Sequence, residues 1–296
     1  MAGMRSCRII DGRKIASAIR AETIELLNGG RKRDRPALLV ISIGNDAAAE
    51  SYSKQMERAA STTGIDFRRE RLDAGMSEKD AAAFINRAAG DAVVSALMIH
   101  VPVPKGFDID RLSGFIPPEK DVDCMNDASR GMLYSGRPMF SPATAEAVIE
   151  ILKHEHIATS GKHVVVIGRS LTVGKPLASL LLVHGTGGDA TVTICHSKSG
   201  DIARYSRQAD ILVAAAGTPH LVNGDMISEG ATVIDVGINP VPASGSGQKY
   251  GITGDVDYES ALRVAGAITP VPGGVGPVTS AVLMRNVAKA WRKGIS

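Results

Sequence analysis

The segments KHVVVIGRSLTVGKPLASLLLVHG (162–185) and ATVTICHSK (190–198) decide the fold of this chain. A run of branched apolar residues ends at a glycine, a turn with a second glycine follows, and a helical stretch leads into another strand-like run. Strand, glycine-containing turn, helix and strand form the Rossmann-type arrangement, in which helix N-terminal N–H groups bind a phosphate. The turn lacks the full GxGxxG pattern, and the same glycines also suit a purely structural corner. The phosphate contacts predicted by the turn are Gly168, Arg169, Ser170 and Gly174.

The end of the second strand indicates which dinucleotide this turn would serve. An NAD site commonly has Asp or Glu there, accepting hydrogen bonds from the ribose 2′-OH. Here the strand runs into His196-Ser197-Lys198, with Arg169 on the neighbouring turn. No carboxylate is present to repel a 2′-phosphate, and several donors with a guanidinium are available to bind it. The sequence therefore favours NADP over NAD, with a solvated strand end as the alternative.

The rest of the chain alternates helices and strands in the same way. Apolar strands ending in glycine are predicted at DILVAAAG (210–217) and ATVIDVG (231–237), and the first half contains similar runs such as PALLVISIG (36–44). This alternation predicts an α/β fold with mostly parallel sheets, and the length of 296 residues favours two domains. The loop PVPGGVGP (270–277) offers side-chain-free backbone that a flat ring can approach, and a final helix is predicted from about Thr279.

Composition excludes several other classes of protein. The net charge is only +3, and Lys and Arg are scattered, which argues against nucleic acid as a partner. No run approaches the roughly 20 apolar residues of a membrane span. Cys7, Cys124 and Cys195 are far apart and match no metal-binding spacing, so we expect no metal and no disulfide framework. A cytoplasmic location is the expectation that follows.

Several long motifs occur in the order found in one enzyme family. VVVIGRSxxVGKP, TVTICHSK, DILVAAAG, VIDVGIN and TPVPGGVGPVT lie in the second half, and PPEKDVD (117–123) lies in the first. With them the chain resembles the FolD family, the methylenetetrahydrofolate dehydrogenase/methenyltetrahydrofolate cyclohydrolases, over essentially its full length. The resemblance implies a Rossmann-type NADP-binding domain (142–278) and an amino-terminal α/β folate domain (1–141 plus 279–296), with a cleft between them. It also implies that the last helix packs back on the folate domain and that a homodimer forms through the cofactor domain.

The resemblance also implies a set of site residues. Folate would lie against Tyr52 and the Pro272-Gly273 loop, with Asp123 contacting the pterin, so tetrahydrofolate one-carbon derivatives are the expected substrates. The candidate catalytic residues are Tyr52, His100 and Asp123, and Met56 falls among the substrate contacts. Beyond the glycine turn, the expected NADP contacts are His196, Ser197, Ile238, Gly276 and Thr279.

The helix SYSKQMERAA (51–60) departs from the family pattern. That pattern is Tyr-x-x-x-Lys, whose lysine is the key residue of the cyclohydrolase step, and here the position is Met56. Lys54 cannot replace it, because it lies about 200° around the helix from Tyr52. His100 stands where the family has a glutamine that partners the lysine, and Cys124 stands where glycine is usual. These departures lie on the folate side, while the NADP motifs are intact.

The departures predict which reaction survives. Hydride transfer depends mainly on holding the methylene carbon near the nicotinamide, so no protein acid is obligatory. Hydrolysis of the methenyl cation needs a general acid or base, which contributes ~10²–10⁴-fold, about 3–5 kcal/mol of barrier. A thioether cannot titrate. The sequence therefore predicts dehydrogenase activity with weak or lost cyclohydrolase activity. The alternatives are a bifunctional enzyme using His100 or water, a dehydrogenase acting on a modified carrier, and a non-catalytic folate- or nucleotide-binding paralogue.

Overall fold

The structure, a computed structural model, describes residues 7–29, 35–45, 47–242 and 250–294. In the first half the elements are β1 (Arg8–Ile9), α1 (Gly12–Asn28), β2 (Ala37–Ile43), α2 (Ala47–Thr63), β3 (Asp66–Leu72), α3 (Glu78–Gly90), β4 (Ala96–Ile99), α4 (Ile109–Ser113), α5 (Asp127–Tyr134) and α6 (Ala143–His154). In the second half they are β5 (His163–Ile167), α7 (Gly174–Leu181), β6 (Thr191–Cys195), α8 (Ala203–Ser206), β7 (Ile211–Ala214), β8 (Thr232–Asp235), β9 (Asn239–Pro242), β10 (Tyr250–Thr253), α9 (Tyr258–Ala261), β11 (Ala267–Ile268) and α10 (Val275–Gly294).

The chain divides into two compact units. The three-stranded unit comprises Ser17–Ala143 and the described residues from Ser280 onward, and the six-stranded unit comprises the described residues up to Ala16 and Thr144–Thr279. The predicted division of 1–141 plus 279–296 differs at the amino terminus, because Arg8 and Ile9 pair in parallel with Ala267 and Ile268. This pairing places the first strand in the six-stranded unit.

The three-stranded unit has the parallel strand order β3-β2-β4. The sequence ALLVISI forms the central strand because its branched and apolar side chains suit a position covered on both faces. Helix α3 begins where the sequence motif SEKD predicts, since the Ser77 hydroxyl accepts a hydrogen bond from the Asp80 N–H at 3.1 Å. Helix α10 contributes buried polar contacts to the same unit, as the Asn286 side-chain amide donates to the Val122 carbonyl at 3.1 Å.

The six-stranded unit has the strand order β1-β11-β8-β7-β5-β6, and all pairs within this sheet are parallel. Its core is built from the apolar residues of β5, β7 and β8, of which Val165, Leu212 and Val233 are fully buried. A separate antiparallel ribbon joins β9 to β10. The prediction of an α/β fold with mostly parallel sheets is confirmed.

The last helix begins earlier than the sequence predicts. It starts at Val275, inside the motif PVPGGVGP, and not near Thr279. Gly274 precedes it and lies against Gly12: a Cβ on Gly12 would be 2.7 Å from the Gly274 carbonyl carbon, closer than Cβ atoms pack in proteins. The glycine pair lets the start of α1 and the start of α10 come into backbone contact. Gly274, which was predicted to be part of a loop that a flat ring can approach, is therefore covered by Gly12.

Candidate active site

Two aromatic side chains of the three-stranded unit meet at the carboxyl end of its sheet. The rings of Tyr52, on α2, and His100, just after β4, lie edge to face with centroids 5.5 Å apart. His100 is only 4% exposed, and its Nε2 lies 3.1 Å from the hydroxyl oxygen of Ser53. Burial raises the pKa of Tyr52 above its ordinary value, and the Asp123 carboxylate charge adds to this. Tyr52 therefore stays a neutral phenol that can stack on a ligand or donate a hydrogen bond. Sequence reasoning did not single out Ser53.

Met56 is fully buried on the same helix, one turn beyond Tyr52. With 0% exposure its thioether belongs to the core of the unit and presents no open surface to a ligand. The structure thus describes Met56 as enclosed by the packed neighbours of the helix, and its contact with substrate stays a prediction. Lys54 is exposed on another face of the helix, as its spacing predicts.

The two aspartates of the motif PPEKDVD have different environments. Asp121 is buried and holds the following turn, because its carboxylate accepts hydrogen bonds from the N–H groups of Met125 (2.9 Å) and Asn126 (3.0 Å). Asp123 is partly exposed and accepts one from the Ala143 N–H at 2.7 Å. Desolvation raises the pKa of Asp123 to about 7, and the Asp121 charge acts in the same direction. Burial raises the pKa of Asp121 as well, although the N–H groups of Met125 and Asn126 oppose that shift.

Cys124 follows these carboxylates with a left-handed backbone, at φ 54°, and is 1% exposed. Glycine adopts this conformation without steric cost, which explains why a glycine is expected at this position by resemblance. Burial raises the pKa of the Cys124 thiol to about 12, so it stays protonated and unreactive.

The glycine turn of the six-stranded unit is closed by backbone packing. A Cβ on Gly168, whose φ is 132°, would lie 2.8 Å from the carbonyl carbon of Ala215. A Cβ on Gly174 would lie 2.6 Å from the carbonyl carbon of Gly168. Only glycine fits at either position, and helix α7 begins at the second of them. The turn and the start of this helix therefore lie at the carboxyl end of β5, where a phosphate binds in this fold.

Ser170 and Arg169 are both exposed on this turn. The Ser170 hydroxyl oxygen accepts a hydrogen bond from the Val173 N–H at 3.0 Å, so the side chain helps to close the turn itself. Its hydroxyl hydrogen is a donor, because the backbone N–H uses only an oxygen lone pair.

The end of β6 holds His196 in one tautomer. Its Nδ1 lies 3.1 Å from the backbone N–H of Lys198, which can only donate. Nδ1 is therefore the acceptor, and the ring proton of the neutral imidazole is on Nε2. Ser197 and Lys198 are exposed beside it. These residues and Arg169 present donors and positive charge at adjacent strand ends, with no carboxylate among 196–198.

Two buried aspartates that sequence reasoning missed hold the neighbouring strand ends. Asp255 is 0% exposed and accepts hydrogen bonds from the N–H groups of Ala216, Gly217 and Thr218. Asp235, 4% exposed at the end of β8, accepts one from the Gly237 N–H. The available signal was an aspartate beside apolar residues and glycine in each of two segments, VIDVG and GDVD. Ile238, a predicted cofactor contact, follows VIDVG and is 61% exposed.

The remaining predicted residues lie at the start of α10. Pro272 is exposed and Gly273 has a left-handed φ of 111°. Gly276 is in the first turn of the helix and is partly exposed. Thr279 is 6% exposed, and its hydroxyl donates to the Val275 carbonyl at 3.2 Å. Thr279 is thus buried, and its hydroxyl hydrogen is used within the helix.

The residues of the six-stranded unit fit a dinucleotide. The glycine turn packs tightly at the carboxyl end of β5, helix α7 starts directly after it, and cationic and donor groups stand at the end of β6. Among the described residues there is no group of three or more His, Cys, Asp or Glu side chains that could hold a metal ion. Within the same residues, no helix has the length and hydropathy of a membrane span. Fold and site together define a two-unit α/β protein of the dinucleotide-binding class.

The chain belongs to the tetrahydrofolate dehydrogenase/cyclohydrolase family. Residues 10–123 match the catalytic domain of that family and residues 142–295 match its NAD(P)-binding domain. The predicted two-domain α/β architecture, with an amino-terminal catalytic domain and a carboxyl-terminal nucleotide-binding domain, is thereby confirmed.

Relatives and solved structures agree over nearly the full chain. The bifunctional protein FolD 2 of Desulfitobacterium hafniense is 41% identical over 283 residues, which cover 95% of this chain and 96% of that protein. The bifunctional protein FolD of Bordetella avium is 42% identical over 292 residues, which cover 98% and 99%. The Trypanosoma brucei N5,N10-methylenetetrahydrofolate dehydrogenase-cyclohydrolase, complexed with NADP and an inhibitor, superimposes with a TM-score of 0.92 at 36% identity and covers 99% of each chain.

Proposed function

We propose that this enzyme oxidises 5,10-methylenetetrahydrofolate to 5,10-methenyltetrahydrofolate with NADP, and that it hydrolyses the methenyl product weakly or not at all. The observation that carries the second half is Met56, a fully buried thioether one helical turn from Tyr52. No ammonium group stands at that position to move protons, and a thioether has no proton to give.

The residues of the three-stranded unit bind and orient the folate in this proposal. Tyr52 offers a neutral ring, already fixed edge to face against His100. Asp123, with its pKa near 7, accepts hydrogen bonds from the pterin when ionised. The bound cofactor supplies the hydride acceptor, and the protein supplies the alignment on which such a step depends.

NADP is the cofactor because of the charge at the ends of β5 and β6. Arg169, Lys198 and the Nε2–H of His196 supply positive charge and donors suited to a 2′-phosphate. The NAD(P)-binding family match and the NADP complex of the Trypanosoma brucei relative support this choice.

A fully bifunctional enzyme is the second candidate, because the relatives cited above are named bifunctional proteins. In that case His100 or water would replace the lysine. The bond between His100 Nε2 and the Ser53 hydroxyl, and the 4% exposure of the histidine, weigh against His100. An imidazole that acts as acid or base needs access to the substrate proton.

One assay tests the proposal. Purified enzyme receives methylenetetrahydrofolate with NADP or with NAD, and the reduced cofactor and the methenyl product are followed separately. We expect reduction of NADP, slower reduction of NAD, and accumulation of methenyl product at the rate at which NADP is reduced. Rapid enzymatic loss of the methenyl product would instead support a bifunctional enzyme. If no reduced cofactor formed, the result would support a non-catalytic binding protein.

The homodimer and the cytoplasmic location belong to the same proposal. Among the described residues, strand β6 is an edge of the six-stranded sheet, and Leu182, which follows α7, is 61% exposed, so this unit offers a sheet edge and exposed apolar surface to a second copy. A native mass equal to one chain in size-exclusion chromatography with light scattering would contradict the dimer.

A further inference from the structure

The Asp255 carboxylate gathers four hydrogen-bond donors although it is completely buried. One oxygen accepts from the N–H groups of Ala216 (2.6 Å) and Gly217 (2.9 Å). The other accepts from the N–H of Thr218 (2.9 Å) and the side-chain amide of Asn239 (2.8 Å). Three successive N–H groups converge on one side chain, so the backbone of 216–218 curves around it, while these three residues are themselves exposed.

Asp235 fixes Asp255 in turn. Its carboxylate accepts hydrogen bonds from the N–H groups of Asp255 (2.9 Å), Val256 (3.0 Å) and Gly237 (2.9 Å). Its own N–H donates to the Thr269 hydroxyl at 2.8 Å. The two aspartates therefore join the segments that follow β7, β8 and β10 into one hydrogen-bonded assembly at the carboxyl edge of the sheet.

The position of this assembly identifies the part of the dinucleotide that it faces. The chain forms β5, moves to β6 on one side and then to β7 and β8 on the other, so the strand order reverses at β5. In such sheets the dinucleotide lies across the reversal point, with the adenosine ribose at the end of the second strand, here β6. The nicotinamide half then lies over the ends of β7 and β8, where residues 216–218 and 237–239 are.

We propose that Asp255 is a positioning residue for the nicotinamide half of NADP, acting through the 216–218 backbone and Asn239, with Asp235 holding it in place. This inference rests on the proposed NADP-dependent function. Asp255 touches neither cofactor nor substrate; it sets the shape of exposed loop backbone against which the nicotinamide is aligned. At the ends of β5 and β6, which serve the adenosine half, Arg169 and residues 196–198 are not among the hydrogen-bond donors to Asp255.

An amide cannot replace this carboxylate. In Asp255→Asn, the NH₂ group would face either the Ala216 and Gly217 N–H pair or the Thr218 and Asn239 donors. Two of the four donors would then face the new NH₂ group, which is itself a donor. The 216–218 loop would have to move so that these donors find other acceptors.

The test compares whole NADP with 2′,5′-ADP, which carries the 2′-phosphate and adenosine but no nicotinamide. Calorimetric titration of the full-length Asp255→Asn protein is expected to show at least ~10-fold weaker NADP binding, with 2′,5′-ADP affinity within ~2-fold of wild type. Equal losses for both ligands, or no loss for NADP, would overturn the inference. Wild-type protein that binds neither ligand would overturn the proposed function itself.

Two further variants test whether the loss of NADP affinity is specific to this hydrogen-bonded assembly. Asn239→Ala removes one of the four donors and keeps the carboxylate, so it should show the same selective loss to a smaller extent, ~2–5-fold, and it decides the question if Asp255→Asn does not fold. Asp210→Asn is the matched control, because Asp210 accepts a hydrogen bond from the His163 N–H at 2.9 Å at the opposite, amino-terminal edge of the sheet. It should leave the affinity for both ligands unchanged; selective NADP weakening in this control would overturn the inference.

Discussion

The change Gly168→Ala tests whether backbone contact at the glycine turn sets the cofactor position. The added Cβ would lie 2.8 Å from the Ala215 carbonyl carbon and closer still to its oxygen. Both partners are backbone, so the turn and the end of β7 must separate by about 1 Å to reach ordinary contact. The φ of 132° adds backbone strain, and we expect a stability loss of about 2–4 kcal/mol in total.

The catalytic effect follows from the same displacement. A misplacement of about 1 Å in a positioned ligand costs on the order of 10²-fold in rate, equivalent to about 2.7 kcal/mol. We therefore expect kcat/KM for NADP to fall about 100-fold in Gly168→Ala, measured by initial-rate NADPH formation at saturating methylenetetrahydrofolate. Urea unfolding, followed by circular dichroism, measures the stability term separately.

Gly185→Ala is the control for backbone strain without steric overlap. Gly185 is in the same unit with a φ of 103°, and a Cβ there would meet nothing within 4 Å. It should lose about 1–3 kcal/mol of stability and keep its kcat/KM. A folded Gly168→Ala enzyme with kcat/KM within threefold of wild type would refute the reasoning, as would an equal catalytic loss in Gly185→Ala.

Three other predictions concern the two sites. Met56→Lys places an ammonium at a position with 0% exposure, so we expect the free energy of unfolding in urea to fall by several kcal/mol. We also expect the methenyl product to decay ~10²–10⁴-fold faster, because the new group can move protons. Met56→Leu should change neither quantity, and unchanged hydrolysis in Met56→Lys would contradict a role of this position. Arg169→Ala removes a charge-assisted contact to the 2′-phosphate, so KM for NADP should rise ~10–100-fold while KM for NAD stays the same; parallel changes would place Arg169 elsewhere. Burial raises the pKa of Asp123 from 3.8 to about 7, so the folded protein keeps a proton that the unfolded chain has lost between about pH 4 and 7. The free energy of unfolding, relative to Asp123→Asn, should fall as pH rises through this window and level off above it; a rising slope in urea titrations from pH 5 to 8 would contradict the shift.

The local parts of the fold could be predicted from the sequence. The glycine turn, the buried strands and helix α3 are specified by residues within a few positions of one another, such as Ser77 and Asp80 at a helix start. The pairing of Arg8 with Ala267 could not be predicted, because a two-residue strand carries no periodicity and its partner is almost the whole chain away.

The candidate site divides in the same way. Tyr52, His100 and Asp123 could be named from motifs, and the structure places the first two rings together. The burial of Met56 and the hydroxyl contact of Thr279 depend on which side of a helix is enclosed, and a motif does not state this. Asp235 and Asp255 were missed because a carboxylate that holds backbone N–H groups is recognised only when those groups are seen to converge.

The pairing of β1 with β11 has a consequence for synthesis of the protein in the cell. Arg8 and Ile9 are made early, whereas Ala267 and Ile268 are made near the end. At about 5–20 residues per second, the first strand waits on the order of ten seconds or more for its partner. Until β11 is made, β8 also lacks a partner on the side away from β7, since β11 lies between β8 and β1. The first strand thus stays unpaired for most of translation, and β8 stays unpaired on one side until β11 is made; this is the stage at which we expect a chaperone to be needed.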